Sequence, residues 1–456
     1  MQLGPEHLAV ALAAASIWCM GGVIFGIASL YPVLYYEGAL EASSCGTDDA
    51  CDARMDSQCC DAQQLKYTSI TSVALFAADG AMLAYGEIGD RFGPRACFGT
   101  GAGLAWLGLF LLGLGARTGN DFLWLTSLLC IGVSGPGVFM GCLFLGERYP
   151  RLHAVISAVG AAMWDASALV FRLFALIYFG SVPSGGARPS FGLDAIAIVW
   201  LILVVPLGAL TFSALPSKEL LESLRAVAEP EHEGGAAVVD DNKVSFLSVF
   251  CRNDTRLMLC FMGLFNLKSS FYIATFAEQM RGLFLPSTAV SLADTFNIAF
   301  PVGGFFTSVV ASILLDRLGK REDLYMTIVV LAAITFGACN LMPYAASQLA
   351  SALLFGPCRT LQWACYFHFL SLPSRYPPQF VGRLLGYGNL VVALVGDVPI
   401  SALNAFVLFA ESLGSTEARY RLVHGGLQLG IIACLALPWY LHKQQQTSAA
   451  KSSSLF

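Results

Sequence analysis

Seven ionisable side chains stand inside long apolar stretches of this sequence: Asp79, Asp165, Arg172, Lys268, Asp294, Arg359 and Asp397. An ionisable group in such a stretch is costly unless it is paired, hydrated or used, so each is a candidate functional residue. Carboxylates attract an ammonium group, and a guanidinium suits the bidentate binding of a carboxylate. The chemistry that these residue types favour is recognition of a charged small molecule.

Asp165 and Arg172 lie seven residues apart, which is two helical turns, and so share one helix face. Each can pair with a helix across an interface and hold one conformation closed, and we favour this interpretation for the pair. The alternative is that Asp165 meets the amino group of an amino-acid substrate. Asp79 and Asp165 also permit proton coupling.

Two interpretations stay open for Lys268 and Arg359. Either they pair with Asp294 or Asp397, or they offer a binding site for a carboxylate. We assign both cations to substrate binding. The intramembrane residues that we assign to conformational control are Asp79, Arg172 and Asp397.

Small, aromatic and polar residues of the same stretches extend the predicted pocket at the membrane midplane. The candidate contacts are Gly22, Phe25, Phe271, Tyr272, Asn297, Gln362 and Trp363. The alternative role for the aromatic residues is packing, and that for the glycine is close approach of helices. Gly-Pro pairs at 135–137 and 356–357 are predicted to interrupt corresponding stretches of two halves, which points to the binding region.

The elements that must position these residues are apolar helices. The chain has 456 residues, of which 56% are hydrophobic and 12% charged, about half the charge of a soluble domain. A helix needs roughly 20 apolar residues to cross a bilayer. The sequence predicts an all-α membrane protein with twelve transmembrane helices: 8–36, 67–88, 96–116, 122–146, 154–180, 192–214, 256–280, 288–314, 324–343, 345–370, 382–406 and 421–441. The least distinct break lies at 340–343.

Lys and Arg counts in the loops predict the orientation. With the N-terminus in the cytosol, the inner loops hold 16 basic residues and the outer loops 7. Both termini are therefore predicted to be cytosolic. We expect an N-terminal half at 1–214, a cytosolic linker at 215–255, a C-terminal half at 256–442 and a cytosolic tail at 443–456. A short amphipathic helix is expected at 217–227.

Four of the fourteen cysteines cluster in the predicted external loop 37–66: Cys45, Cys51, Cys59 and Cys60. Disulfides are favoured over a zinc site, because the loop holds no histidine and no paired CxxC spacing. Four cysteines allow three pairings, and the choice stays open. No metal site and no cofactor are expected.

One loop pattern occurs twice, at 86–95 and 312–321, in the same cytosolic position of each half. Both copies carry Asp-Arg-x-Gly in register, which indicates internal duplication. The aspartate can accept from a neighbouring helix N-terminus, and the arginines can pair with acidic groups across the cytosolic mouth. The predicted gating residues are Asp90, Arg91, Arg95, Asp316, Arg317 and Arg321.

This pair of loops resembles the signature Gly-x-Leu-x-Asp-Arg-x-Gly-Arg-Arg of the major facilitator superfamily. Further stretches are similar to the L-type amino-acid transporters of solute carrier family 43 and to apicomplexan amino-acid transporters: Gly22–Leu30, Glu37-Gly38, Cys60 with Gln63–Leu65, Tyr149–Ala168 and Phe271–Thr275. The resemblance implies a fold of two six-helix halves. It implies that helices one, four, seven and ten line the cavity, that two, five, eight and eleven form the interface, and that the others face lipid.

These features predict a secondary transporter that moves amino acids by alternating access, by facilitated diffusion or exchange. The alternatives are a carrier of nucleobases or another small organic solute, and a nutrient sensor that does not transport. No Walker-type phosphate loop or catalytic motif is present, so neither ATP-driven transport nor an enzyme is expected. The expected partners are a small-molecule substrate and the lipid bilayer, with no nucleic acid. We expect a monomer in the plasma membrane, with an organellar membrane as the alternative.

Overall fold

The computed structural model describes residues 4–40, 61–181, 189–228, 245–318, 321–372, 375–376 and 380–453. Every regular element in these residues is a helix. We number the long helical segments α1 to α12, several of them built from two or three pieces. The first six are α1 (Pro5–Met20, the 3-10 segment Val23–Ser29 and Tyr31–Tyr36), α2 (Asp61–Phe92), α3 (Pro94–Thr118), α4 (Asp121–Leu143), α5 (His153–Ala166 and Leu169–Gly180) and α6 (Leu193–Ala214).

The second six are α7 (Asn253–Leu283), α8 (Pro286–Leu318), α9 (Glu322–Leu341), α10 (Ala345–Ser371), α11 (Val381–Gly396 and Ile400–Phe409) and α12 (Thr416–Ala433 and Ala436–Ser453). The predicted linker contains the helices Lys218–Ala228 and Phe246–Phe250. The first of these matches the amphipathic helix expected at 217–227. Because α12 continues to Ser453, the described part of the predicted tail is helical.

Ten of the described helices are long and apolar enough to cross a membrane, or eleven if the bent N-terminal pair of α1 is one span. The all-helical membrane fold is thereby confirmed, while the count of twelve spans stays a prediction. The helix outside this set is α10, which is 27 residues long and carries Arg359 and Gln362 within its length. The break expected at 340–343 is present, because Met342 and Tyr344 have extended backbones.

The two interruptions predicted at Gly-Pro pairs are wrong. Helices α4 and α10 continue through Pro136 and Pro357. A Cβ on Gly356 would meet the carbonyl oxygen of Phe300, so this glycine allows close packing of α10 against α8. The long helices that do break are α1, α5, α11 and α12.

The unwound middle of α1 packs tightly on the break of α5. A Cβ on Gly22 would lie 2.6 Å from the carbonyl oxygen of Trp164, and one on Gly26 would meet that of Ala168. Only glycine permits this approach of two backbones. The side chain of Phe25, between these two glycines, is thereby held at the middle of the molecule.

The two sets of six helices meet along α2–α11 and α5–α8. Asn404 on α11 donates to Thr68 on α2 at 3.0 Å. Towards the other end of the same pair, Asp90 on α2 lies beside Gly382 on α11. The α2–α11 contact therefore extends over most of the length of both helices.

Candidate functional site

Arg359 lies at the middle of α10 and is only 2% exposed. Its guanidinium carbon is 4.4 Å from the ring centre of Phe25 on α1 and 6.0 Å from that of Phe300 on α8. Its own-helix neighbour Trp363 adds a third ring at 5.7 Å. The Nε and Nη1 atoms have no hydrogen-bond partner among the described residues. A guanidinium that rests on ring faces keeps its edge donors free for an in-plane acceptor.

Asp165 on α5 faces the same region from the other half. Its Oδ2 accepts a hydrogen bond of 2.6 Å from the hydroxyl of Thr360, the residue that follows Arg359 in α10. Asp165 also acts electrostatically on the guanidinium of Arg359. A buried anion and a buried cation are thus brought into one site by helices of opposite halves.

A second group of carboxylates lies on the α2–α11 side of Arg359. The amide nitrogen of Asn266 on α7 donates to Asp79 at 3.2 Å and to Asp397 at 3.0 Å. Both aspartates act electrostatically on Arg359. The backbone carbonyl of Asp397 in addition accepts from the hydroxyl of Ser72 on α2. Three of the predicted intramembrane carboxylates therefore lie within electrostatic range of one guanidinium.

Lys268 does not join this group, although it is also only 2% exposed. Its ammonium donates to the side-chain oxygen of Gln428 on α12 and lies 5.4 Å from the ring centre of Phe336 on α9. The pairing expected with Asp294 or Asp397 is absent from the described residues. The reason is rotation about α7: two residues from Asn266, Lys268 points away from the face that meets α2 and α11.

Arg172 and Asp294 form an ion pair between α5 and α8, with 2.7 Å from Nη1 to Oδ1. The two side chains are 16% and 46% exposed. This contact joins the two sets of six helices. It places Asp294 with Arg172 rather than with Lys268 or Arg359.

No family model matches the sequence. Protein FMP42 of Saccharomyces cerevisiae is 25% identical over 399 residues, which cover 73% of this chain and 75% of that protein. The agnestins efflux protein AgnL12 of Paecilomyces divaricatus is 21% identical over 374 residues, which cover 75% and 77%.

Two solved structures align with nearly the whole chain. The nucleoside transporter NupG matches with a TM-score of 0.60 and 12% identity, over 95% of this chain and 100% of that one. XylE, a proton:xylose symporter of the major facilitator superfamily, matches with a TM-score of 0.61 and 14% identity, over 95% and 96%. The chain has the major facilitator fold. Both of these solved structures are of transporters. The resemblance of this chain to amino-acid transporters stays a prediction.

The first signature loop of this major facilitator fold is only partly arranged as expected. Asp90 lies beside the first turn of α11, since a Cβ on Gly382 would be 3.6 Å from its Oδ2. Arg91, however, pairs with Glu87 of its own helix. Arg95 donates to the carbonyl oxygen of Leu215 at 3.0 Å. The expected pairing of these arginines with acids across the mouth is therefore corrected, because the carbonyls at the end of α6 attract a cation.

The second loop differs from the first. The side chain of Asp316 lies outside the described residues. Arg317 is exposed, and Arg321 donates to Asp323, two residues ahead, at 3.3 Å. The roles predicted for this loop remain predictions.

Two other predicted substrate contacts, Phe271 and Tyr272, pack against residues of the C-terminal half. Tyr272 packs with Phe296 and Phe355 within the C-terminal half, and its hydroxyl bonds to Ser351. Phe271 faces His424 on α12, with ring centres 5.2 Å apart. These two rings form part of the core in this conformation rather than of the arginine site.

Two further predictions concern Asn297 and the cysteines of the external loop. Asn297 is partly buried, one turn before Phe300 on α8. Cys45, Cys51, Cys59 and Cys60 lie outside the described residues, so the disulfide prediction is open. The ten cysteines in the described part of the chain are all free.

Sequence reasoning missed Asn266 and Thr360. Both are neutral, so a search for charges in apolar stretches passes over them. A usable signal exists in α7, where Asn266, Lys268, Ser269 and Ser270 form a polar run within an apolar helix. Buried amides in membrane helices are normally hydrogen-bonded to a neighbouring helix, and this one joins two carboxylates.

Proposed function

We propose that this chain is a secondary transporter that moves amino acids across a membrane by alternating access. The observation that carries the proposal is the buried guanidinium of Arg359, whose Nε and Nη1 find no hydrogen-bond partner in the described part of the chain. A buried charged donor without a partner is expensive, at about 1–3 kcal/mol or more. A substrate carboxylate would satisfy two of its donors in the plane of the group.

Asp165 supplies the complementary charge for a zwitterion. It is 9% exposed and bonded to Thr360, which directly follows Arg359. A substrate with its carboxylate on Arg359 could place its ammonium group against Asp165. An α-amino acid carries its ammonium and carboxylate groups on one carbon atom, which suits a site with both opposite charges in reach.

The location of the pair supports alternating access. Arg359 belongs to the C-terminal half, while Phe25 and Asp165 belong to the N-terminal half. A substrate bound to both charges would therefore be released when the halves separate on one side. In proteins built from two such repeats, transport sites lie at the interface near the midplane.

Uptake of labelled amino acids into proteoliposomes tests the proposal. Wild-type protein is expected to take up or exchange at least one amino acid of a proteinogenic panel. Arg359→Lys keeps the charge but loses the planar fork, so affinity should fall about tenfold or more. Arg117→Lys, an exposed position at the end of α3, is the matched control and should retain wild-type uptake.

Two results would overturn the amino-acid assignment. One is the absence of any amino-acid flux in vesicles that contain correctly folded protein, and binding without flux would instead indicate a sensor. The other is an Arg359→Lys variant with unchanged affinity.

The second candidate is a carrier of nucleobases or another planar organic solute. The rings of Phe25, Phe300 and Trp363 around Arg359 favour it, because they offer faces for stacking. Thermal stabilisation of the purified protein separates the two. Stabilisation by purines and not by zwitterions would favour this candidate.

A further inference from the structure

The group formed by Asp79, Asn266 and Asp397 is more than a contact between helices. Asp397 and Asn266 are fully buried and Asp79 is 4% exposed. One amide group serves both carboxylates. The carboxyl group of Asp397 also interacts with Asp79 and with the hydroxyl of Ser270, one turn further along α7. The side-chain carbonyl oxygen of Asn266 has no hydrogen-bond partner among the described residues. The group thus has a buried polar atom left over.

The charges around this group do not balance without a further cation. Asp79, Asp165 and Asp397 carry three negative charges when ionised, and Arg359 carries one positive charge. Lys268 does not contribute, since it points to Gln428 on the other side of α7. Tyr366 on α10 also faces Asp79 and is neutral unless it loses a proton, which would worsen the imbalance. Buried net charge of this size is costly in a low-dielectric interior.

Substrate binding would increase the imbalance at Asp79 and Asp397. A substrate carboxylate bound to Arg359 neutralises the positive charge that otherwise stabilises the carboxylates of Asp79 and Asp397. Two carboxylates this close then repel each other with no counter-ion, and like charge favours protonation of one of them. Proton uptake is therefore favoured by the same event that fills the substrate site.

A proton fits the group better than a metal ion. Sodium and the divalent cations need several oxygen ligands that surround the ion. The amide nitrogen of Asn266 donates to both Asp79 and Asp397 and would repel a metal ion placed among them. A proton on Asp397 can be shared with the neighbouring carboxylate of Asp79 without displacing this amide.

We propose that Asp79 and Asp397 form a proton site that is loaded when a substrate carboxylate occupies Arg359, so that substrate and proton travel together. A proton leaves a water-borne hydronium ion for a carboxylate oxygen on one side and returns to water on the other. No other bond changes. The coupling to amino acids rests on the proposed function, whereas the response of the carboxylate pair to loss of the Arg359 charge does not.

Release follows from where the two aspartates sit. Asp79 is on α2 of one half, and Asp397 and Asn266 are on helices of the other half. When the halves move apart, the carboxylates separate and water reaches them, so the repulsion that held the proton disappears. The proton would then leave with the substrate.

Infrared spectroscopy of the purified protein tests the site without any substrate. Arg359→Gln removes the counter-ion, so at neutral pH the variant should gain one protonated carboxyl band relative to wild type. Asp397→Asn in the Arg359→Gln background should remove the gain. Asp165→Asn in the same background should leave it, and Glu219→Gln, an exposed position on the linker helix, is the further control.

No gain in Arg359→Gln, or a gain that Asp165→Asn removes, would overturn the site. If the Arg359→Gln protein does not fold, a second experiment replaces the infrared measurement. Substrate is added to purified wild type, and the uptake or release of protons is followed with a pH dye. Wild type should take up about one proton per bound substrate, and Asp79→Asn and Asp397→Asn should take up none. Unchanged uptake in both variants would refute the proposal.

Transport in proteoliposomes tests the coupling separately. A gradient of about one pH unit should drive about tenfold accumulation in wild type. In Asp79→Asn and Asp397→Asn, the accumulation driven by the gradient should be lost, whereas the exposed control Glu219→Gln should accumulate substrate like wild type. If wild type exchanges substrate but shows no dependence on the pH gradient, the coupling of proton and substrate is wrong, while the proposed function stands. Absence of exchange for every amino acid would overturn the proposed function, and the infrared result would still decide the proton site.

Discussion

Thr360 connects the two charges of the candidate site. It follows Arg359 in α10 and donates to Asp165 on the opposite half at 2.6 Å. A buried carboxylate that loses a donor is destabilised by about 1–3 kcal/mol. Its orientation towards a substrate ammonium group would also be lost.

Thr360→Val therefore should lower the melting temperature of the detergent-purified protein and raise KM for uptake. Thr360→Ser retains the hydroxyl and should restore both values close to those of wild type. If Thr360→Val and Thr360→Ser behave alike, the hydrogen bond to Asp165 is unimportant and only side-chain volume matters.

For Lys268, in contrast to Thr360, we expect that removal of the polar group leaves uptake and stability nearly unchanged. Its ammonium is buried against Gln428 and Phe336, away from Arg359. Replacement of a buried charge by an apolar side chain of similar size is often neutral or stabilising. Lys268→Met should keep uptake within about twofold of wild type and should not lower the melting temperature.

The matched variant is Gln428→Leu, which leaves the ammonium without its acceptor and should destabilise the protein by about 1–3 kcal/mol. Loss of uptake in a folded Lys268→Met protein would return Lys268 to the substrate pathway.

At the residue scale, the sequence predicted which charged residues are buried better than it predicted their partners. A charge in an apolar stretch is visible by type, and Arg359, Asp165 and Asp397 were found in this way. Which side a residue takes on a buried helix is not visible when polar residues surround it, as at Asn266, Lys268 and Ser270 in α7. The partners of these residues are set by how the helix is rotated in the bundle.

The element that places Phe25 against Arg359 is the broken first helix. Its 3-10 segment Val23–Ser29 is held against α5 by two glycines. A methyl group at Gly26 would overlap the carbonyl of Ala168, and neither backbone can move without disturbing the ring of Phe25.

Gly26→Ala should therefore cost about 1–3 kcal/mol of stability and reduce uptake. The control is Gly103→Ala on α3, where an added Cβ meets open space. That change should leave stability equal or raise it by up to about 1 kcal/mol, since alanine is the better helix former. Equal melting temperatures for the two variants would show that α1 can shift away from α5.

Helix positions were well predicted from apolar runs, because a bilayer imposes a minimum length on each span. The internal breaks were not. The sequence marked Gly-Pro pairs in α4 and α10, yet these helices continue, while α5 breaks after Ala166 without a proline. A break depends on which neighbouring backbone can approach, and this is a property of the packed pair of helices.

The described part of the whole molecule consists of two sets of six helical segments, which would have to separate in the proposed transport cycle. The duplicated loop at 86–95 and 312–321 predicted two halves, and the structural neighbours share the major facilitator fold. The ion pair of Arg172 with Asp294 joins α5 of one half to α8 of the other. Because its side chains are partly exposed, its contribution to the closed state should be about 0.3–1 kcal/mol.

A contribution of this size changes the ratio of closed to open molecules by up to about fivefold. Arg172→Asp and Asp294→Arg each place two like charges across the interface, so each should slow uptake by favouring separation of α5 and α8. The double variant restores an ion pair with its direction reversed and should recover uptake in part. High salt should slow uptake by wild type slightly, because it screens the attraction between Arg172 and Asp294. It should speed up uptake by both single variants, because there it screens a repulsion. Uptake rates of the four proteins at low and high salt give the coupling energy. If the double variant is no faster than the single ones, the pair is a passive surface contact and closure depends on α2–α11 alone.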